Sequence, residues 1–199
     1  MITFFSNIPT FTDPKNLDIQ TFLQLCDMIC NFFGLWDTKF SLLRNDVEGN
    51  IKKVSRASAN LHVNTLYDLL TNDTNRNDDS SGSIGLLWLK RTLQFVNCFL
   101  HNLAHSTTNN ENELMRDLIT QAYDVTLTRY HNKLMRHAFR FVLRIVPKRS
   151  VFIRKLGLEQ DNCELIVLRE VEQFTLAIEP HIETLHQMLI LFGLEDPTT

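Results

Sequence analysis

Asp46, Asn50 and Lys53 stand at i, i+4 and i+7 in the stretch "DVEGNIKK". On a helix that spacing aligns a carboxylate, a carboxamide and an ammonium along one face. Such a row offers acceptors and donors matched to several hydroxyls at once. A solvated helix face with an incidental ion pair meets the same spacing. In and around "LLWLKRTLQF", Ile84, Trp88, Phe95 and Phe99 share a face at i−4, i, i+7 and i+11. An indole has a flat apolar face and one N–H donor, which makes it a platform for stacking a sugar ring. It also makes a good core residue. Lys90 and Arg91 beside it suggest a polar mouth over a greasy interior. His131, in "LTRYHNKLMRHAF", falls with Leu127, Ala138 and Phe139 on one side of a helix, as a satisfied core histidine or as a donor to a ligand.

Bond-making chemistry finds little support. No GxSxG and no P-loop occurs, and a hydrolase built on Asp46 and His131 has no specific motif behind it. Positions i+3 and i+4 from His131 are Leu134 and Met135, so a zinc site on that helix is not expected. Cys26, Cys30, Cys98 and Cys163 form no CxxC pair, and they read as reduced, buried thiols of an intracellular protein. Neither a metal nor a cofactor is implied.

The elements that must carry these groups are helices. The 199 residues include 14 Phe but only 6 Gly and 5 Pro, leaving few places to break a helix. A formal charge of −3 speaks against general nucleic-acid binding. The N-terminal "MITFFSNIPTF" lacks the basic start of a signal peptide. No uninterrupted apolar run reaches the ~18 residues of a membrane span, so a soluble, cytoplasmic protein is expected.

Periodicity predicts a helix over 17–33 with Ile19, Phe22, Leu23, Cys26, Ile29, Cys30 and Phe33 on its buried face, stopped by Gly34. Asp37 is the expected cap of the second helix, and Gly49 within it marks a close approach or a bend. A shorter helix, "LHVNTLYDLL", precedes the loop "TNDTNRNDDSSGS". Ser83 is the expected cap of a helix reaching about His105. After the loop "STTNNENE", one long helix is predicted from about Asn112 to Val146, stopping before Pro147. Pieces at 151–156 and 163–178 follow, and Pro180 is expected to start a last helix ending at Gly193. The sum is a compact all-α domain of about eight helices, a single domain over 1–199. Its first ~15 residues and the 72–83 loop are expected to be less ordered.

The elements "DVEGNIKK", "LLWLKRTLQF" and "TRYHNKLMRHAF", followed by "VPKRSVF", occur in an order and spacing that resembles the glycolipid transfer protein family, over about Phe32 to Phe174. The resemblance implies an all-α, two-layer helical sandwich, and a non-enzymatic carrier or sensor that holds one sphingolipid, most simply a glycosylceramide, and moves it between membranes. Asp46 looks like the carboxylate that accepts from the sugar and the lipid amide, Asn50 and Lys53 like the partners of the first sugar's hydroxyls, and Trp88 like the stacking platform. His131 looks like the donor to the ceramide carbonyl. Phe40, Phe95, Phe99, Leu127, Phe139, Phe152 and Phe174 align with the family's hydrocarbon tunnel, and Ile84 joins them through its shared face with Trp88.

A branch of the family that prefers ceramide-1-phosphate carries basic residues where this chain has Asn50 and Trp88, so a neutral sugar is expected here. Arg91 and Lys52 leave room for a sulfated one. Lys133 stands where animal members have a membrane-docking Trp. The run "RIVPKRSVFIRK", with Arg144, Lys148, Arg149, Arg154 and Lys155, is a candidate docking patch or an ordinary solvated stretch. Transient membrane contact, no nucleic-acid partner and a monomer complete the expectation. A helical interaction module that has lost lipid binding is the reading from another class.

Overall fold

A computed structural model describes residues 2–11, 13, 16–36, 40–75, 78–106 and 111–196, the side chains of 111–114 excepted. Within them lie α1 (Ile19–Gly34), α2 (Ser41–Leu61), α3 (Leu66–Asn72), α4 (Gly82–Ala104), α5 (Glu111–Thr126), α6 (Lys133–Arg144), α7 (Arg149–Leu156) and α8 (Glu164–Leu191). The only β pairing among the described residues is an isolated bridge between Asp18 and Thr65. The all-α architecture expected from composition and period is therefore the observed one.

The periodic apolar positions explain the core. Phe22, Leu25, Cys26, Ile29 and Cys30 of α1 are buried together, and Asp18 caps that helix by accepting from the Thr21 amide at 2.7 Å. The middle of the fold is α4, which packs on α2, α8, α5 and α1. It buries apolar side chains on nearly every side, including Leu86, Leu89, Val96, Leu100 and Leu103. Its cap is Ser81, whose hydroxyl accepts from the Ile84 amide. The expected cap, Ser83, is instead buried within the first turn and donates its hydroxyl to Asp73 at 2.8 Å.

Gly49 marks no close approach: a Cβ there would meet nothing within 4 Å, and α2 runs through it unbroken. The close approach comes from the partner helix. A Cβ on Gly85 of α4 would stand 2.9 Å from Lys53 Cβ and 3.0 Å from the Asn50 carbonyl oxygen of α2. That glycine lets the polar face of α2 lie against the α4 turn that carries Trp88. We expect Gly85→Ala to overpack this seam and cost about 1–3 kcal/mol in urea unfolding.

The long helix predicted over 112–146 is two helices. α5 ends at Thr126 and α6 begins at Lys133. Thr126 turns its hydroxyl onto the Ala122 carbonyl, and Thr128 turns its own onto the Asp124 carboxylate. Asn132 then caps α6 by accepting from the Met135 amide at 2.9 Å. Residues of this kind compete with helical backbone bonding and suit helix ends. His131 consequently sits in a turn and not on a helix face.

In the opposite sense, the two helices expected around Pro180 are one, α8, with Pro180 inside it. Pro180 and the preceding Leu176 face solvent, so the carbonyl left without its i+4 donor is open to water. The cap expected at Asp37 lies outside the described residues; the residue at the N-cap of α2 is Phe40. Near the N-terminus, Phe5 packs on Phe174 with ring centroids 4.9 Å apart, the Phe4 amide donates to the Leu156 carbonyl, and Thr3 donates to Glu170.

Candidate functional site

Asp46 on α2, Trp88 on α4 and His131 in the α5–α6 turn meet at one cavity of about 260 Å³. Below this rim the wall is apolar, with Phe33, Val47, Phe95, Leu127, Phe139 and Val142. A second, smaller chamber of about 40 Å³ continues inward between Phe40, Phe99, Trp36 and Phe152. Phe95 and Phe139 border both chambers and meet edge to face, their centroids 6.0 Å apart. Six of the eight residues expected in the tunnel, Phe40, Phe95, Phe99, Leu127, Phe139 and Phe152, thus line one chamber or both.

The other two stand elsewhere. Phe174 is fully buried beneath the N-terminal segment through its contact with Phe5. Ile84 packs at the edge of the core one turn before Trp88 and borders neither chamber. Helical period predicts which side chains are buried, but not which void they face.

The polar rim divides along α2. Asp46 is at the mouth of the cavity. Asn50 is buried, and its amide donates to the Asp46 carbonyl at 3.0 Å. Lys53 borders a neighbouring surface groove together with Lys52, Arg56 and Asn60. The three groups therefore run from the cavity mouth onto the adjoining surface. Partial desolvation raises the pKa of Asp46, with Lys53 pulling the other way.

His131 is held by Tyr123, whose hydroxyl lies 2.9 Å from Nδ1. Tyr123 is fixed in turn by stacking on Phe139, at 3.5 Å between centroids and 9° between planes. Burial first, then the charges of Arg136 and Arg91, lower the His131 pKa, so the ring is neutral at neutral pH. With Nδ1 accepting from Tyr123, Nε2 carries the proton and is a donor; the other tautomer would make it an acceptor. The Trp88 and His131 rings are 5.9 Å apart.

Several neighbours of these residues escaped sequence reasoning. Tyr123 orients His131. Trp36 stacks on Phe152 at 4.3 Å and 4° and closes the inner chamber. Its indole N–H has no hydrogen-bond partner among the described residues. Arg91 lies over the Tyr130 ring at 3.4 Å and 5.0 Å from the Trp88 ring. It is bound by Glu195, which also takes Lys90. A signal for Glu195 did exist: adjacent Lys90 and Arg91 in an otherwise buried helix require a counter-charge.

Around the cavity mouth the surface is apolar and basic. Leu42 and Met135 line the cavity while exposed. Leu134 and Phe141 on α6 are 75% and 59% exposed, beside exposed Lys133, Arg136, Arg140 and Arg144. The basic run that follows is less free than its sequence suggests. Arg149 pairs with Glu164, and Arg154 and Lys155 both pair with Glu159. Among the described residues no helix is long and apolar enough to cross a membrane, and no cluster of metal-ligating side chains occurs.

Known proteins share this fold. Glycolipid transfer protein A of Xenopus laevis is 28% identical over 182 residues, covering 87% of both chains. The structure of FAPP2, which selects simple glycosphingolipids using the GLTP-fold, superposes with a TM-score of 0.84 at 24% identity over 98% of each chain. Human ceramide-1-phosphate transfer protein in complex with 12:0 ceramide-1-phosphate superposes at 0.81 with 17% identity, over 98% of this chain and 95% of that one. The profile described as glycolipid transfer protein (GLTP) matches residues 17–158, most of the sequence. The chain belongs to the glycolipid transfer protein family.

Proposed function

We propose that this protein is a non-enzymatic carrier or sensor of one glycosphingolipid, with the sugar at the Asp46–Trp88–His131 rim and the hydrocarbon chains inside, and that it moves this lipid between membranes. The observation that carries the reading is the convergence of an indole, a carboxylate and a neutral imidazole on the mouth of one Phe-lined cavity. Trp88 stacks the first sugar, Asp46 accepts from its hydroxyls and from the lipid amide, and Asn50 and Lys53 extend the contact along α2. His131 Nε2 donates to the amide carbonyl.

The division of labour follows from magnitudes. At ~0.8 kcal/mol per CH₂, moving about 30 methylenes into water costs on the order of 24 kcal/mol. Sugar hydrogen bonds contribute only ~0.5–1.5 kcal/mol net apiece. The interior must supply the affinity, and the rim decides which lipid enters. The inner chamber, at about 40 Å³, admits a chain only as the Phe95–Phe139 and Trp36–Phe152 contacts give way. Uptake on this reading is an opening of aromatic walls that rest against one another in this structure.

The lipid is a neutral glycosylceramide rather than a phosphosphingolipid. Arg91 beside Trp88 is already matched by the Glu195 carboxylate, which removes the cation a phosphate would need. The protein acts as a cytoplasmic monomer that touches membranes transiently, without nucleic acid, metal or cofactor. The membrane side is α6, where Leu134 and Phe141 replace the missing aromatic at Lys133 and four cations flank them. We expect Phe141→Asp to slow transfer several-fold and weaken vesicle binding without changing the melting temperature. Unchanged vesicle binding would remove α6 from this role.

The decisive test offers donor vesicles of labelled glucosylceramide and of ceramide-1-phosphate to the protein and reads transfer to acceptor vesicles, alongside native mass spectrometry for a co-purified lipid. Faster transfer of glucosylceramide supports the reading. Faster transfer of ceramide-1-phosphate overturns the choice of headgroup, and no transfer of either overturns the carrier.

A further inference from the structure

Past α8 the chain turns at Gly193, in the left-handed region at φ 70°. The Gly193 and Leu194 amides donate to the Ile190 and Leu189 carbonyls, both at 2.9 Å. Glycine takes this conformation without steric cost and ends helices in this way. The turn sends Glu195 back into the body of the protein, where its side chain is 1% exposed. Its Oε2 accepts from Lys90 Nζ at 2.8 Å and from Arg91 Nε at 3.2 Å. Its Oε1 accepts from Arg91 Nη2 and from the Tyr130 hydroxyl, each at 2.9 Å.

Four donors thus converge on two oxygens, a geometry that suits a sulfate or phosphate group as well as a carboxylate. The place of this cluster matters. The Arg91 guanidinium lies between the Tyr130 ring, at 3.4 Å, and the Trp88 ring, at 5.0 Å. Trp88 is the platform for the headgroup, and Tyr130 adjoins His131 in the same turn. An anionic headgroup resting on Trp88 would meet Arg91, and there it would meet Glu195 already in possession.

Building on the glycosphingolipid reading above, we propose that Glu195 is a specificity-determining residue: its carboxylate fills an anion slot made by Lys90, Arg91 and Tyr130 beside Trp88, and so excludes sphingolipids whose headgroups carry a tetrahedral oxyanion. Removing that carboxylate uncovers the slot. Neutral sugars are then no longer preferred, and sulfated or phosphorylated headgroups gain two buried cations as partners.

The test uses the full chain with Glu195→Gln, Glu195→Asp and Glu195→Ala. Transfer is measured from vesicles containing galactosylceramide, its 3-sulfate, or ceramide-1-phosphate, and separating the last two identifies which oxyanion fits. Glu195→Gln should raise the ratio of anionic to neutral transfer by about tenfold or more, whereas Glu195→Asp, which keeps the charge, should stay near wild type. A folded Glu195→Gln protein with the wild-type ratio overturns the proposal. Glu195→Ala supplies a readout independent of lipid. Inorganic phosphate should raise its melting temperature by several degrees more than it raises that of the wild type, at matched ionic strength, and should restore folding if the variant is unstable without it. Equal shifts in the two proteins overturn the slot. Should the wild type transfer no lipid, the carrier reading fails, while the phosphate measurement still decides what Glu195 covers.

Discussion

Trp88→Ala should leave the protein folded and lower glycolipid transfer by roughly 30- to 150-fold, the equivalent of about 2–3 kcal/mol of lost stacking area. The fold should survive because Trp88 is only partly buried, at the cavity mouth, while the core of α4 is formed by Leu86, Leu89, Val96, Leu100 and Leu103. The effect should depend on the sugar. Trp88→Phe, which keeps a smaller flat face, should fall between wild type and alanine. Ceramide lacking any sugar should bind Trp88→Ala and wild type alike, because its chains meet Phe95, Phe139 and Phe152 in both. Circular dichroism establishes the fold, and vesicle transfer with glucosylceramide supplies the rate. A wild-type rate for the alanine variant would remove the indole from headgroup recognition, and an equal loss for ceramide would make it a wall of the cavity instead of a platform.

The sequence disclosed the parts of this site that lie along one element and concealed those that depend on two. Asp46, Asn50 and Lys53 are readable because helical period places them on one face, and the four-residue step from Ile84 to Trp88 is readable for the same reason. Yet that step misassigned Ile84, since sharing a helix face with Trp88 does not oblige a side chain one turn away to border the same void. Phe174 shows the same limit: its burial was legible, but its contact with Phe5 comes from a segment far away in sequence. The break between α5 and α6 was hidden because apolar spacing continues across it. Only the threonine hydroxyls and the Asn132 cap reveal that His131 sits in a turn. Pro180 misled in the other direction, as a proline on a solvent-facing side can remain inside a helix. Glu195 lies 104 residues from Arg91, and no local pattern couples them. What the sequence does state is the demand, two adjacent cations in a buried helix, without naming the residue that answers it.

Glu195 should also govern how stability responds to acid. Burial alone would raise its pKa, but hydrogen bonds from Arg91 and Lys90, together with their charges, bring it down to about 2 from an ordinary 4.5. A carboxylate with a depressed folded-state pKa adds stability that is fully present above the unfolded value. That contribution is lost as pH falls from about 4.5 towards 2, and its whole size is up to about 3 kcal/mol. Other groups face the cluster: Lys90, whose pKa burial lowers, and His186, lowered by burial and by Lys90, with Arg129 and Glu183 nearby. Asp46 contributes with the opposite sign, because its raised pKa makes protonation favour the folded state. Comparison with Glu195→Gln cancels those shared contributions to first order. The variant leaves Lys90 and Arg91 without a buried counter-charge, which should cost about 3–5 kcal/mol near neutral pH. In urea unfolding, the gap between wild type and variant should therefore be widest above about pH 5 and should narrow steadily down to about pH 3, as Glu195 of the unfolded wild-type chain takes up a proton that the folded carboxylate still refuses. A gap that stays constant with pH would mean that Glu195 titrates alike in the folded and unfolded chain, so that Lys90 and Arg91 add no net stabilisation to its carboxylate.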